Sequence, residues 1–394
     1  MGARKEGTEL HIFAFSSFGK GLSGGDNIFI ELSRKWAKAG IQITVHVFQD
    51  GYDICRRAGL EDVEYKVYKG GVSGSLPIML VTRTIYALWN VLRQKKTDKR
   101  LYIYSASDFW PDVFPAFLCS KIRNKFIWIA GFFMFAPDPF APKFPYKGIN
   151  VIRGILYYIS QMPAYWLVRK FADFIFVTSE PDVKKFLTSR RGPEKIIVVK
   201  GGVDLDFIRS VPMRANDGHF DAVFMGRLHP QKGVFELLDI WKRVTEVKRD
   251  LRLAVIGDGY LRQEIETRLK ALNLEDSVTL FGYKFGEEKI RIFKSSRIVL
   301  HPAVYDSGGM AACEAMACGM PGISFDLEAL KTYYPKGMLK VKCFDLDEFA
   351  RGIIRLLEDT ELYSKLREEA VKLVETEWDW NIRAKKIYDR VLAC

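Results

Sequence analysis

The stretch HPAVYDSGGMAACEAMACGMPGISFD, residues 301–326, contains a strand end, a glycine-rich turn, a short helix and a second strand. The small and apolar residues of the short helix predict that this helix is buried. Two acids interrupt the apolar pattern, Asp306 before the turn and Glu314 about one turn into the helix. A carboxylate in a buried helix needs a partner. That partner is either a pair of ligand hydroxyls, such as those of a ribose, or a structural arginine.

The same alternation of short apolar runs and helical segments continues in both directions along the chain. Apolar runs separated by amphipathic helices are typical of a parallel α/β sheet. The runs are LHIFAF (10–15), IQITVHVF (41–48), RLYIYSA (100–106), KFIWIA (125–130), DFIFVTS (173–179), FDAVFMG (220–226), LRLAVIG (251–257), SVTLFG (277–282), RIVLHP (297–302) and PGISFD (321–326). The polar segment 211–219 interrupts them and predicts a linker. We therefore predict an α/β fold of two domains, residues 1–213 joined by the C-terminal helix at about 380–394, and residues 214–379.

Composition and charge limit the classes of function. The chain has 394 residues and six cysteines without a CxxC pair, so neither a disulfide scaffold nor a cysteine metal site is indicated. We expect reduced thiols in a cytosolic setting. The net charge of +12 indicates an anionic partner: nucleic acid, a phosphorylated substrate or an acidic membrane surface. No interleaved aromatic and basic motif supports nucleic acid.

Two segments of the first domain, residues 76–96 and 149–171, are apolar and aromatic. They contain no run of eighteen apolar residues, so no transmembrane helix is predicted. The arginines that interrupt them are Arg83, Arg93, Arg153 and Arg169. Such segments suit helices lying in a membrane interface, and also amphipathic helices packed on a sheet. The aromatic, proline-rich loop 131–148 between them favours the membrane interface.

Several loops of the predicted second domain carry residues suited to a phosphate ligand. The segment FMGRLHPQKG (224–233) leaves a strand at Gly226, so that Arg227 and Lys232 project from its carboxyl end. Two cations above a helix N-terminus can bind a diphosphate, although a solvated basic loop has the same composition. Gly257 and Gly259, in the next strand's turn, would let a base or ribose approach the backbone.

Two further glycine pairs stand at the starts of helices. Gly308 and Gly309 precede the helix of Glu314, so their N–H groups form an anion and hydroxyl site. In the first domain, SSFGKGLSGGD (16–26) matches neither a dinucleotide fingerprint nor a P-loop. Gly24 and Gly25 could still approach a donor phosphate or an acceptor, and a flexible turn is the alternative.

Together these residues resemble the retaining glycosyltransferases of family 4, whose GT-B fold has two Rossmann-like parallel-sheet domains facing across a cleft. The blocks that carry the resemblance are KGGVD (200–204), FMGRLHPQKG (224–233), VIGDG (255–259), VTLFG (278–282) and HPAVYDSGGMAACEAMACGMPG (301–322). The Gly24-Gly25 loop, Trp378 and Trp380 extend it over nearly the whole chain.

The resemblance implies a nucleotide-sugar donor held by the second domain and an acceptor held by the first. Arg227 and Lys232 would bind the diphosphate and stabilise its charge as it leaves. Glu314 would hold the ribose, and Asp306 would contact the donor sugar. The other donor-binding residues would be Gly24, Gly25, Gly226, Gly257, Gly259, Ser307, Gly308, Gly309 and Met310. The reaction would retain configuration and need neither a cofactor nor a metal.

Three departures from the family pattern leave the sugar open. Asp306 stands where the family usually has Glu, Gly131 and Phe132 follow a strand where many members have His, and KGG (200–202) replaces Pro-Asn-Gly. The charge and the apolar segments predict a lipid-linked acceptor and peripheral attachment at the cytosolic face of a membrane. A soluble acceptor, a non-catalytic membrane-associated scaffold of the same fold, and a UDP-sugar epimerase remain as alternatives.

Overall fold

The structure is a computed structural model that describes residues 9–19, 22–70, 76–93, 101–123, 126–141, 144–148, 150–214 and 217–392. Parts of several segments discussed above lie outside these ranges: residues 20–21 of the first glycine-rich loop, 94–96 and 149 of the two apolar segments, 100 and 125 at the starts of two apolar runs, 142–143 of the aromatic loop and 215–216 of the linker. Cys394 also lies outside them.

Strands and helices alternate along the described chain. The strands are β1 (Glu9–Phe13), β2 (Gln42–Phe48), β3 (Glu64–Tyr68), β4 (Leu101–Ser105), β5 (Ile127–Gly131), β6 (Phe174–Val177), β7 (Ile196–Val198), β8 (Phe220–Met225), β9 (Leu253–Ile256), β10 (Val278–Gly282), β11 (Ser296–His301), β12 (Gly322–Phe325) and β13 (Met338–Val341). The helices are α1 (Gly24–Lys38), α2 (Gln49–Arg57), α3 (Leu76–Leu92), α4 (Trp110–Phe117), α5 (Asn150–Phe171), α6 (Glu180–Phe186), α7 (Leu205–Ser210), α8 (Val234–Val247), α9 (Arg262–Ala271), α10 (Gly286–Lys294), α11 (Ala311–Ala317), α12 (Glu328–Tyr333), α13 (Leu346–Glu358), α14 (Thr360–Leu373) and α15 (Trp380–Val391).

The chain divides into two compact units. The first comprises Met1–Pro139, Ile152–Val199 and Trp380–Cys394, and the second comprises Phe140–Val151 and Lys200–Asp379. The division after β7, at residues 199 and 200, lies fourteen residues before the predicted domain boundary at residues 213 and 214. The reason is that α7 and the residues that lead into it pack on the second unit. Val203 N–H donates to the Trp378 carbonyl at 2.8 Å, within that unit.

The first unit is built on a seven-stranded sheet in the order β3-β2-β1-β4-β5-β6-β7. All neighbouring strands run parallel. Its core consists of buried aliphatic and aromatic side chains, among them Phe13, Ile103, Trp128 and Ile175. Helix α15 returns to this unit, where Trp36 Nε1 of α1 donates to the Ala384 carbonyl at 3.0 Å.

The second unit is built on a six-stranded parallel sheet in the order β10-β9-β8-β11-β12-β13. One apolar cluster, which includes Trp241 and Phe349, covers one face, and a second cluster, which includes Met316 and Trp378, covers the other. The predicted α/β fold with two parallel sheets is thus confirmed. In both sheets the strand order reverses beside the first strand, between β1 and β4 and between β8 and β11.

Candidate functional site

The predicted cations and the acid Asp306 meet at the point where the strand order of the second sheet reverses. Ligands of parallel sheets bind at such points, beyond the carboxyl ends of the strands. The loop 226–233 follows β8, and the loop 302–310 follows the neighbouring strand β11. The Gln231 carbonyl accepts hydrogen bonds from the N–H groups of Val304 and Tyr305, both at 3.1 Å. The two loops are therefore joined through their backbones.

Lys232 and Asp306 form an ion pair across these loops. Lys232 ends a short 3₁₀ turn, and its Nζ lies 2.6 Å from Asp306 Oδ2. Gly233 follows with φ of +66°, and a β-carbon there would overlap the Pro302 carbonyl oxygen. Only glycine permits this close approach of the two loops, so the sequence KG positions the lysine beside the acid.

Asp306 is almost fully enclosed by protein groups. Its side chain is 5% exposed. Oδ1 accepts hydrogen bonds from the N–H groups of Ser307 at 2.9 Å and Gly308 at 3.3 Å, and His301 Nε2 lies 3.5 Å from Oδ2. Burial alone would raise the pKa of this carboxyl, but the Lys232 ammonium and the His301 ring hold it well below its usual range. Asp306 is therefore a carboxylate at neutral pH.

The glycine turn after Asp306 is held by buried side chains. Gly309 has a φ of +80°, and a β-carbon there would lie 2.7 Å from His301 Nε2. Tyr334 donates its hydroxyl proton to the Gly309 carbonyl. Met310 begins α11 as its N-cap residue and packs against the backbone of Gly201, where a β-carbon would meet its side chain. The glycine of KGG at 201 thus makes room for the helix start.

Glu314 has a lysine partner. It lies in the first turn of α11, half-buried, and both of its oxygens accept hydrogen bonds from Lys289 Nζ of α10 at 2.8 Å. The partner is therefore neither of the two that we considered, although the ribose hydroxyls we predicted would still find free acceptor capacity on the carboxylate.

Arg227 is exposed and makes no hydrogen bond or ion pair with the described residues. The ring of the nearby His229 stands edge-on to those of Tyr146 and Tyr260. Burial, together with Arg227 and Lys232, lowers the pKa of His229 to about 3. The histidine is neutral at physiological pH and leaves the positive charge of this loop to Arg227 and Lys232.

The glycines after β8 and β9 bring the two turns into backbone contact. Gly257 has a φ of +140°, and a β-carbon there would overlap the Gly226 carbonyl oxygen. A β-carbon at Gly259 would lie 2.5 Å from the Leu228 carbonyl oxygen, and Leu228 N–H donates to the Asp258 carbonyl at 2.9 Å. In this structure the space beside both glycines is filled by the loop of Arg227. The close ligand approach that we predicted for them stays a prediction.

Sequence reasoning missed four residues of this site. Gln231, which is 2% exposed, donates from Nε2 to the Tyr146 hydroxyl at 3.0 Å. This contact ties the aromatic segment Phe140–Val151 to the loop of Lys232. The others are His301, Lys289 and Tyr146. No local pattern marks Lys289 and Tyr146, because they are 25 and 85 residues from their partners Glu314 and Gln231. His301 precedes Pro302 in the quoted stretch, which was its only signal.

Gly24 and Gly25 belong to the first unit, as the first two residues of α1. Ser23 is the N-cap of this helix and forms a capping box with Asp26. A β-carbon at Gly25 would lie 3.1 Å from the Phe133 ring. Gly25 therefore has a packing role. The pair Gly24 and Gly25 lies in the first unit, whereas the other predicted site residues lie in the second.

Buried acids surround the reversal point of the first sheet. Asp26 accepts from Ser17 Oγ at 2.5 Å, and Asp112 accepts from Ser107 Oγ at 2.5 Å and from Ser16 N–H at 3.0 Å. Burial raises the pKa of Asp112 to about 8, although its hydrogen bonds act in the opposite direction. Asp112 therefore carries a proton at neutral pH.

Helices α3 and α5 expose continuous apolar stripes. Both lie beside α4, which packs against α3 and donates from Trp110 Nε1 to the Ser160 carbonyl of α5 at 2.6 Å. On α3 the exposed side chains recur at intervals of three and four residues: Ile78, Val81, Ile85, Trp89 and Leu92. On α5 the same spacing joins Ile152, Leu156 and Ile159, and Trp166 follows seven residues later. One face of each helix is thus without a protein partner among the described residues of the first unit.

The basic residues of these helices divide into two groups. Arg83 is buried and donates to the carbonyls of Phe15 at 3.0 Å and Ser17 at 3.3 Å, so it is not a surface cation. Arg93 stacks over Trp89 at 4.3 Å from the ring centroid, and Lys170 over Trp166 at 4.8 Å. Cations therefore flank the exposed tryptophans.

The aromatic loop 131–148 is mostly turned inward. Phe132 is buried against Phe135 and Phe186, and Tyr146 is buried in the second unit. Phe140, with 90% exposure, is the outward-facing aromatic among the loop residues that the structure describes. The loop therefore supports a membrane-facing surface less than its composition suggested.

The described ranges contain no helix long and apolar enough to cross a membrane. Within the same ranges, no three His, Cys, Asp or Glu side chains come together as metal ligands would. Among the described residues the cysteines form no disulfide with one another.

Comparison with known proteins gives one family match. Residues 210–373 match the model of the family described as glycosyl transferases group 1. An uncharacterized glycosyltransferase of Methanocaldococcus jannaschii is 27% identical over 214 residues, which is 54% of each chain. The phosphatidyl-myo-inositol mannosyltransferase of Mycobacterium leprae is 28% identical over 200 residues, 48% of this chain and 52% of the relative. The chain thus spans about half the length of these curated relatives.

A solved structure extends the likeness of fold to both units. Anabaena HepE, in complex with UDP and glucose, superposes with a TM-score of 0.72 over 99% of this chain and 100% of its own, at 16% identity. Its fold, like this one, is the GT-B arrangement of two Rossmann-like units. The family match thus covers most of the second unit, and the likeness of fold covers both units.

Proposed function

We propose that this chain is a retaining glycosyltransferase of family 4, which transfers a hexosyl group from a nucleotide-diphosphate sugar without a divalent metal. The observation that carries the proposal is the pair of cations at the reversal point of the second sheet. Lys232 is fixed there by Asp306 at 2.6 Å, and Arg227 is exposed without an internal partner among the described residues.

The donor diphosphate would bind to these two cations. Arg227 offers a planar set of donors and Lys232 a compact ammonium, the two kinds of group that hold phosphate oxygens. As the glycosidic bond breaks, negative charge accumulates on the leaving diphosphate. Cations that are already in position stabilise this charge without reorganisation. The same charge neutralisation is what a divalent metal supplies in other enzymes, which is why we expect none here.

The rest of the donor would lie along the loop 306–310 and the start of α11. Glu314 would accept hydrogen bonds from the ribose hydroxyls while Lys289 holds the carboxylate in place. The N–H groups of Ser307 and Gly308 are occupied by Asp306, so those of Gly309 and Met310 remain for the sugar phosphate. The UDP and glucose bound by Anabaena HepE support a UDP-hexose as the first donor to test.

The acceptor would be lipid-linked and reached at the cytosolic face of a membrane. The stripes of α3 and α5, with Arg93 and Lys170 over their tryptophans, have the composition of a surface that enters an anionic lipid interface. A relative named as a phosphatidyl-myo-inositol mannosyltransferase supports a lipid acceptor. Free thiols in the described chain agree with a reducing compartment.

Turnover tests this proposal. The protein is incubated with EDTA, the UDP-, GDP-, ADP- and dTDP-hexoses, and detergent-solubilised polyprenyl-phosphate saccharides or glycerolipids. We expect one nucleotide sugar to be consumed, and the product's anomeric configuration, measured by proton NMR coupling, to equal that of the donor. Consumption only after Mg²⁺ or Mn²⁺ is added, or an inverted product, would contradict the metal-independent retaining mechanism.

A further inference from the structure

The carboxylate of Asp306 has little capacity left for a ligand. An ionised carboxylate offers about four acceptor positions. Oδ1 uses its two for the N–H groups of Ser307 and Gly308, and Oδ2 uses one for Lys232 Nζ at 2.6 Å. The remaining position of Oδ2 lies on the side of the buried His301 ring, whose Nε2 is 3.5 Å away.

The carboxylate of Asp306 is less accessible to solvent than the ammonium group of Lys232. The side chain of Asp306 is 5% exposed and that of His301 is 4% exposed, whereas that of Lys232 is 18% exposed. Of the three, the ammonium is thus the group that solvent or a ligand reaches first. The backbone of Gly309 packs so closely against the His301 ring that a β-carbon at position 309 would not fit.

From this arrangement we propose that Asp306 is a positioning residue that acts through Lys232, with the N–H groups of Ser307 and Gly308 fixing its carboxylate, and does not bind the donor sugar. This inference rests on the proposed function, since Lys232 is taken as a ligand of the donor diphosphate. It replaces the sugar contact that the resemblance implied.

The ion pair has a consequence for nucleotide affinity. The ammonium is partly neutralised by Asp306, and the buried carboxylate repels an incoming diphosphate. Replacing the carboxylate by a neutral amide removes the repulsion and leaves the ammonium without its internal counter-ion. A diphosphate should then bind more tightly, although the lysine would be less well placed for turnover.

Calorimetric titration in EDTA tests this inference. The probes are inorganic pyrophosphate and the nucleoside diphosphate among UDP, GDP, ADP and dTDP that binds the wild-type chain. We expect Asp306→Asn to tighten both by about tenfold, which equals about 1.4 kcal/mol. In a Lys232→Met background the same substitution should have a clearly smaller effect, because only the direct repulsion between the carboxylate and the diphosphate is then removed.

A comparison of the nucleotide with its sugar conjugate separates positioning from sugar binding. If Asp306 held the sugar, Asp306→Asn would weaken binding of the nucleotide sugar relative to binding of the nucleoside diphosphate, whereas a positioning role changes both affinities by the same factor. The first result, or an equal change with and without Lys232, would overturn the inference. Asp306→Ser serves as a second neutral variant if the amide does not fold, with folding followed by thermal melting.

The wild-type titration distinguishes the two possible failures. If the wild-type chain binds neither pyrophosphate nor any of the nucleotides, the proposed function fails before the variants are tested. If it binds one of them but the effect of Asp306→Asn is equally large with and without Lys232, the proposed function stands and the positioning role of Asp306 is wrong.

Discussion

At the scale of single residues, the candidate site depends on glycines that let backbones approach each other. Gly257 and Gly233 both have positive φ, and at both a β-carbon would overlap a carbonyl oxygen of the neighbouring strand's loop. Left-handed backbone and close approach act together at these positions. The loops of Arg227 and Lys232 are therefore held by contacts that no other residue type allows.

Alanine substitutions at Gly257 and Gly286 separate the cost of a steric overlap from the cost of a positive φ in a residue with a side chain. Gly257→Ala should lower the free energy of unfolding by about 2 kcal/mol or more, since the methyl group would displace the Gly226 backbone. Gly286→Ala is the control, because Gly286 also has positive φ but nothing lies within 4 Å of its β-carbon position; we expect about 1 kcal/mol there. Urea unfolding measures both. Equal losses would contradict the steric account.

A second prediction at this scale concerns the protonated Asp112. Its folded-state pKa, about 8, lies above the ordinary value of 3.8. The folded chain therefore keeps a proton that the unfolded chain releases above about pH 4, so stability falls as pH rises towards 8. Asp112→Asn keeps the neutral shape without the titration. We expect the melting temperature of this variant to rise relative to that of the wild type as the pH increases from 5 to 8.

The control for this pH profile is Asp53→Asn, which changes an exposed aspartate of the same unit. Its melting curve should follow that of the wild type across the range. Parallel profiles for Asp112→Asn and the wild type would show that the Asp112 carboxyl is ionised in the folded chain, contrary to the structure.

The sequence predicted the residue types of the site but not their partners. Arg227, Lys232, Asp306 and Glu314 were identified because charged residues interrupt apolar strand ends and a small-residue helix. The pairs Lys232–Asp306 and Lys289–Glu314 join residues 74 and 25 positions apart. Such pairs depend on strand order and loop geometry, which local patterns do not contain. For that reason an arginine was considered for Glu314 and a sugar for Asp306.

At the scale of elements, the strands that sequence reasoning missed are all at sheet edges. They are β3, β7 and β13. Edge strands need not be buried on both faces, so β3 and β13 lack the continuous apolar run that marks central strands, whereas β7 is apolar but only three residues long. β3, with the sequence EYKVY, alternates charged and apolar residues, and none of its residues is fully buried. The ten predicted runs all correspond to strands of the structure.

The helices α3 and α5 show the reverse situation, in which an apolar pattern does not lead to burial. Their stripes continue for the length of each helix and remain exposed in the first unit. Exposed apolar area of this extent marks a surface that contacts another molecule. Sequence alone left a sheet-packed helix open as an alternative, and the exposure of Ile85, Trp89 and Trp166 is what favours a membrane.

Vesicle binding tests this surface. The chain should sediment with vesicles that contain phosphatidylglycerol, less so with phosphatidylcholine alone, and less in high salt. Ile85→Asp together with Trp89→Asp should weaken binding by about tenfold or more, since two side chains that would enter the lipid become charged. Val247→Asp is the control, because Val247 is exposed but lies on the second unit. Equal binding by all variants would contradict a membrane role for α3.

At the scale of the whole molecule, two sheets with the same strand order arise from one repeated pattern of apolar runs. In each sheet, successive strands extend first to one side of the first strand and then to the other. The reversal point therefore receives the loop of the first strand and the loop of the fourth. In the second unit these loops carry Arg227, Lys232 and Asp306. In the first they carry Ser17 and Ser107, and Ser107 donates to Asp112 near the start of α4. The class of fold follows from the pattern, whereas the division at residues 199 and 200 follows from tertiary packing.

The central claim is that Arg227 and Lys232 bind the diphosphate of a nucleotide-sugar donor without a metal. The measurement that tests it most directly is calorimetric titration of the chain with UDP, GDP, ADP and dTDP in EDTA. We expect one nucleotide to bind, and Arg227→Ala and Lys232→Ala each to weaken it by about tenfold or more. Lys248→Ala, at the other end of α8, should leave it unchanged. Absence of binding in EDTA, or equal binding by wild type and Arg227→Ala, would contradict the account.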